Sequence, residues 1–114
     1  MLLAPTLGGC VHTVPRFGLP ERFTALGTEP FWSAKVAGTR LTYSTPQDAK
    51  GRTLSVTRHA APRVATVEGA LDALPLRLQI SAGPCSDGMS DTVYPFTVER
   101  TVGSDIQHGC ARAD

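Results

Sequence analysis

The sequence predicts an all-β domain, a small antiparallel β-barrel or sandwich of about 6–8 short strands. Apolar and polar residues alternate with a period of two along several segments. Turn-forming residues separate these segments at intervals of about 8–12 residues, as in small all-β folds. No stretch of about ten residues carries the 3.6-residue apolar stripe of an amphipathic helix.

The first predicted element is a β-hairpin that turns at residues 37–39, around Gly38. One face of this hairpin is apolar and consists of Trp32, Ala34, Val36, Leu41 and Tyr43. Residues 45–51 predict a polar loop, because Pro and Gly stand near its ends. Residues 53–58 follow as a strand, with Leu54 and Val56 facing inward.

The second half continues with a strand at 63–68, a turn or single helical turn at 69–73 and a strand at 74–82. Residues 92–102 alternate again, and residues 105–110 predict a short closing strand. Pro75 and Pro95 have no amide hydrogen, so each is expected at an edge or beside a bulge.

Composition and charge exclude several classes of protein. Eleven basic and ten acidic residues give a net charge of +1, which argues against nucleic-acid binding and against disorder. No apolar run approaches the roughly 18 residues of a transmembrane helix. The 114 residues are the length of one domain, with only seven aromatic residues, so Leu, Val and Ala must form the core.

Cys10 ends the string Leu-Gly-Gly-Cys after an apolar stretch, which is similar to the signal peptides of bacterial lipoproteins. The similarity implies that Cys10 is lipidated and attaches the protein to a membrane. No basic residue precedes Arg16, although signal peptides begin with a basic region. We expect residues 1–22 to be a signal remnant and flexible tether, and residues 23–114 to be a single β domain.

The other two cysteines, Cys85 and Cys110, form an even pair. Export to an oxidising compartment would join them in a disulfide, worth about 3.5 kcal/mol in the chain-entropy model. Two alternatives remain open at this stage. The thiols are reduced if the protein is cytosolic, or they bind a metal together with His108.

Two stretches are candidate functional sites. The first contains Glu29 before Pro30, where Glu29 is a possible ligand contact and Trp32 a core residue. The second is the loop 86–94, in which Asp87-Gly88 is typical of a turn. We expect this loop to be a binding surface with four candidate residues: Asp87, Ser90, Asp91 and Tyr94. The alternatives are a purely structural loop and a calcium site at Asp87 and Asp91.

These stretches resemble a largely uncharacterised family of small bacterial envelope lipoproteins. The resemblance rests on E-P-F-W at residues 29–32, on C-x-D-G-M-S-D-x-x-Y-P-F at 85–96 and on G-C-A at 109–111. It covers about residues 23–112 and implies a lipoprotein with a Cys85–Cys110 pair, without an established activity.

The loop also resembles that of membrane-bound inhibitors of animal-type lysozyme, which carry Ser-x-x-x-Tyr. Ser90 and Tyr94 have this spacing, and the resemblance implies that Ser90 hydrogen-bonds the catalytic carboxylates of lysozyme. Asp91 stands where that family has glycine, and its carboxylate would repel those carboxylates.

No nucleophile motif, phosphate-binding loop or metal-ligand spacing is present in the sequence. We therefore expect an exported, lipid-anchored protein that faces the periplasm and binds an unknown envelope protein or ligand, without a cofactor. The alternatives are a periplasmic lysozyme inhibitor and a structural component of the envelope.

Overall fold

The computed structural model describes residues 18–114. Eight antiparallel strands follow one another around a closed barrel, with β1 paired to both β2 and β8. The strands are β1 (Arg22–Thr28), β2 (Phe31–Ala37), β3 (Arg40–Thr45), β4 (Asp48–Ala60), β5 (Val64–Leu71), β6 (Leu74–Ser86), β7 (Val93–Val102) and β8 (Asp105–Ala113). The all-β prediction is confirmed, and the architecture is the barrel and not the sandwich.

Because each strand runs antiparallel to its neighbour, the turns alternate between the two ends of the barrel. We call the end with the β1–β2, β3–β4, β5–β6 and β7–β8 turns the upper end. The other end, where β1 begins and β8 finishes, is the lower end. There Arg58 donates hydrogen bonds to the carbonyls of Pro20, Glu21 and Gly38, which fixes the segment preceding β1.

Alternate residues of every strand fill the barrel interior. Most are Leu, Val, Ile and Ala, as the composition predicts, with Trp32 as the expected core residue at 4% exposure. The fully enclosed side chains include Phe23, Leu41, Leu76, Leu78, Ile80 and Val67. Trp32 and Tyr43 stack with ring centroids 6.3 Å apart.

Strand β1 was not identified from the sequence, and Trp32 explains why. The inward positions of this strand are Phe23, Ala25 and Gly27, so its apolar face is small. A Cβ atom at Gly27 would lie 2.0 Å from Nε1 of Trp32, so only glycine leaves room for the indole. β1 therefore has no large apolar side chain at position 27, where one would have made the alternation of apolar and polar residues visible in the sequence.

Two predicted loops are largely strand, which corrects the expected boundaries. The loop at 45–51 reduces to a turn at Pro46 and Gln47, and β4 begins at Asp48. The turn at 69–73 reduces to Asp72 and Ala73, both with positive φ. Gly69 lies within β5, where a side chain has no room because a Cβ would lie 2.8 Å from the Ser55 carbonyl of the neighbouring strand.

The two strand prolines occupy irregular positions, as expected. Pro75 pairs with Ala70 of β5, but β6 pairs with β7 only from Leu76 onward. Pro95 lies opposite a register shift between Ala82 and Cys85. Neither position requires a proline amide to donate to a neighbouring strand.

Candidate functional site

The disulfide Cys85–Cys110 lies on the outer wall of the barrel, with its Cα atoms 5.6 Å apart. Cys110 pairs with Leu26, and the flanking residues Ala25 and Ala111 face the core. Side chains alternate along a strand, so Cys110 and Leu26 face outward. Cys110 is nevertheless only 1% exposed, because the end of the β6–β7 hairpin covers it. The predicted disulfide is confirmed.

This covering segment is the tip loop, which we define as residues 86–92. The β6–β7 hairpin bends at the bulge between Ala82 and Cys85, where Gly83 has a φ of 144°. The bend carries the tip loop across β8 to β1. There the Thr28 hydroxyl donates a hydrogen bond of 3.1 Å to the carbonyl of Asp87. A covalent bond and a hydrogen bond thus fix the tip loop to the barrel wall.

The carboxylate of Asp87 organises the tip loop from within. Its Oδ1 accepts hydrogen bonds of 2.9 Å from the amides of Met89 and Ser90. Its Oδ2 accepts from the hydroxyls of Ser90, at 3.1 Å, and of Tyr94, at 3.3 Å. The two amide bonds, chiefly, hold the pKa of Asp87 below its usual value, because they favour the charged carboxylate.

The structure therefore brings together three of the four predicted loop residues, Asp87, Ser90 and Tyr94, in one hydrogen-bonded group. Tyr94 is 9% exposed and supports the loop from below. Asp91 is exposed and forms no hydrogen bond or ion pair within residues 18–114. The Ser90 hydroxyl, although exposed, already donates to Asp87.

A cleft of about 540 Å³ separates the tip loop from the upper end of the barrel. Asp87 and Met89 form its wall on the tip-loop side. The opposite wall includes Phe31 at the start of β2, Pro46 of the β3–β4 turn and Ala49 of β4. Phe31 is 51% exposed and Met89 is 67% exposed, so two large apolar side chains flank the opening. The cleft could not be predicted from the sequence, because its walls come from three separate segments.

The other predicted site residues either do not line the cleft or lie outside the described residues. Glu29 is exposed in the β1–β2 turn and forms no hydrogen bond or ion pair with residues 18–114. Cys10, the predicted lipidation site, lies outside the described residues. Within residues 18–114 there is no helix able to span a membrane. That same range holds no cluster of three or more His, Cys, Asp or Glu suited to a metal.

A second polar group, which the sequence analysis missed, lies inside the barrel. Arg100 is 4% exposed; its guanidinium donates to the Tyr43 hydroxyl at 3.1 Å and to Asp105 at 2.6 Å. Its central carbon lies 5.6 Å from the centre of the Trp32 ring. Arg100 shares the inward parity of Val98 and could have been found from the period of two.

Charge and burial in this interior group act on two pKa values. Burial raises the pKa of the Tyr43 phenol, and the adjacent guanidinium of Arg100 works against that increase. The hydrogen bond from Arg100, followed by that from Gln107, lowers the pKa of Asp105. Two buried donors, Nε of Arg100 and Nε1 of Trp32, have no hydrogen-bond partner among the described residues.

Comparison with known proteins gives no further identification. No protein-family model, curated protein or solved structure matches this chain.

Proposed function

We propose that this protein is a non-catalytic binding module of the bacterial envelope, and that the tip loop with its cleft is the binding surface. Met89 carries the proposal, because a cross-linked loop holds its apolar side chain 67% exposed beside the cleft. Large apolar side chains that flank a common opening are typical of binding sites. Val93, just beyond the tip loop, is a second large apolar side chain of this hairpin end and is 68% exposed.

The rigidity of the tip loop supports a binding role. The disulfide, the Thr28 hydroxyl and four donors to Asp87 restrict the loop before any partner arrives. A surface that is already ordered loses little conformational entropy on binding. The Ser90 and Tyr94 hydroxyls take part in this ordering. We therefore assign them a structural role within the loop, and we assign the contact with the partner to Met89 and its apolar neighbours.

The position of the cleft fits an anchored protein. The chain enters β1 at the lower end, whereas the cleft opens beside the β1–β2 and β3–β4 turns at the upper end. If Cys10 is lipidated, as the sequence leads us to propose, the tether attaches at the end opposite the cleft. The cleft would then face the periplasm and be accessible to soluble partners.

Capture of partners from a bacterial envelope extract tests the proposal. The wild-type protein is compared with Met89→Ser/Val93→Ser and with the control Ile106→Ser, which changes an exposed side chain of β8 outside the cleft. We expect the wild type and the control to retain the same partner, and the double variant to lose it. Equal capture by all three proteins would contradict the proposal and favour a structural role.

A parallel assay addresses the lysozyme resemblance directly. Animal-type lysozyme is titrated with the wild type and with Ser90→Ala. Stoichiometric inhibition that Ser90→Ala abolishes would identify lysozyme as the partner. Absence of inhibition would leave an envelope partner as the object of the capture experiment.

A further inference from the structure

The composition of the cleft indicates what kind of ligand it accepts. Its volume of about 540 Å³ lies within the range of small-molecule sites, about 300–1,000 Å³. Apolar side chains predominate along its walls, among them Leu26, Phe31, Pro46, Ala49 and Met89. A ligand that fills the cleft would bury mostly apolar surface, and the apolar surface removed from water would supply most of the affinity.

Charge restricts the ligand further. Among the residues that the structure describes, Asp87 is the only ionisable side chain that lines the cleft. Its carboxylate is occupied by four donors from its own loop and from Tyr94. An anionic group in the cleft would find no cation and would lie near this carboxylate. The ligand is therefore expected to carry no negative charge.

Three hydroxyl groups give the cleft a polar component. Ser33, Ser44 and Thr45 line it and are partly buried. No side-chain hydrogen bond joins any of these three hydroxyls to another residue within 18–114. Each hydroxyl has one donor and two acceptor sites. A ligand with hydroxyl or carbonyl groups at one end would satisfy them while its apolar part covers Phe31 and Met89.

We infer that the cleft binds a single alkyl or acyl chain of a non-anionic amphiphile with a hydroxylated head group. This inference rests on the proposed binding function and assigns a ligand class to the same surface. The alkyl chain lies between Phe31 and Met89, and the head group contacts the hydroxyls of Ser33, Ser44 and Thr45. The competing occupant, an apolar segment of a partner protein, is one of the outcomes of the test below.

Titration with alkyl maltosides of increasing chain length, below their micelle concentrations, tests the inference. Trp32 is the only tryptophan and lines the cleft, so its fluorescence reports occupancy. We expect the affinity to rise about fourfold per methylene until the chain fills the cleft. Decanoate, with a charged head group, should bind at least about tenfold more weakly than decyl maltoside.

Phe31→Ala and Met89→Ala should each weaken decyl maltoside binding by about five- to tenfold, because each removes apolar surface from a wall. Both side chains are more than half exposed, so neither change should unfold the barrel. Ile106→Ala, at an exposed position outside the cleft, is the matched control and should bind like the wild type.

Several results would overturn the inference. The inference is wrong if the affinity does not change with alkyl chain length, or if decanoate binds as tightly as decyl maltoside. It is also wrong if Ile106→Ala weakens decyl maltoside binding as much as Phe31→Ala and Met89→Ala do. If no maltoside binds but Phe31→Ala or Met89→Ala abolishes capture of the envelope partner, the cleft is a protein contact. The inference would then be wrong while the proposed function stands. If maltosides bind as expected but no partner is captured, the proposed protein interaction fails and the amphiphile site remains.

Discussion

The barrel interior and the tip loop are stabilised by different kinds of interaction. The interior consists mainly of apolar side chains such as Leu41, Leu78 and Ile80, each completely buried. The tip loop is exposed and depends on one disulfide and on the carboxylate of Asp87. Interior stability is therefore distributed over many contacts, whereas the shape of the loop depends on a few individual groups.

Because their stabilising interactions differ, the two regions should respond independently to most substitutions. A change in the interior alters the free energy of unfolding of the whole barrel, because the domain unfolds cooperatively. A change in the polar contacts of the loop alters local opening, which amide hydrogen exchange measures separately. The binding surface can then be changed without loss of the fold.

The largest effect is expected from Leu78→Ala in β6. Leu78 is completely buried, so the substitution leaves a cavity and should lower the free energy of unfolding by about 2–5 kcal/mol. Leu74→Ala is the matched control, because Leu74 lies in the same strand but is 50% exposed. Urea denaturation measures both. Equal losses of unfolding free energy in Leu78→Ala and Leu74→Ala would contradict the burial of Leu78 in the barrel interior.

Removal of the disulfide should affect both regions. Cys85→Ala/Cys110→Ala opens a link between residues separated by 25 positions and should cost about 3.5 kcal/mol. It should also release the tip loop, so that the amides of Met89 and Ser90 exchange faster than the barrel unfolds. Thermal denaturation and hydrogen exchange test these two effects. An unchanged Tm with unchanged exchange would show that the cross-link contributes to neither region.

Removal of one tyrosine hydroxyl from each region gives the most direct comparison. Tyr43→Phe leaves a buried donor of Arg100 unpaired and should lower the free energy of unfolding by about 1–3 kcal/mol. Tyr94→Phe removes a donor to Asp87 and should mainly accelerate exchange in the tip loop, with a global effect of at most about 0.5 kcal/mol. The opposite ranking of the two global effects would show that the regions are coupled.

The smallest effect at neutral pH concerns the protonation of Asp87. Its pKa is lowered in the folded protein, so the folded state binds fewer protons than the unfolded state. The stabilisation is fully present above the ordinary aspartate pKa of about 3.9 and is lost as the pH falls through the lower folded value. NMR titration should give an Asp87 midpoint below 3.9, and exchange at Met89 and Ser90 should accelerate only at that acidic pH. A midpoint at or above the ordinary value would contradict the hydrogen-bond network.

Much of the sheet could be predicted from the sequence, because side chains alternate wherever one face of a strand is buried. The hairpin around Gly38 and the strand beginning at Leu74 show this alternation clearly. The alternation fails in β1, where Ala25 and Gly27 take the inward positions that large residues would otherwise mark. A small residue is needed at position 27 because the indole of Trp32, from the next strand, occupies the adjacent space.

The candidate site, like the sheet, could be predicted from the sequence only in part. The turn at Asp87-Gly88 follows from local chemistry, and the pairing of Cys85 with Cys110 was predicted by setting Cys10 aside as a lipidation site. The strand periodicity and the polar loop could thus be predicted from the sequence alone, and the cross-link was one of three alternatives that the sequence left open. The crossing of the outer wall by the loop, and the open cleft that the loop borders opposite Phe31, are evident only in the folded structure. This arrangement depends on the bulge before Cys85 and on the closure of β1 against β8, which bring together residues about 60 positions apart in the chain.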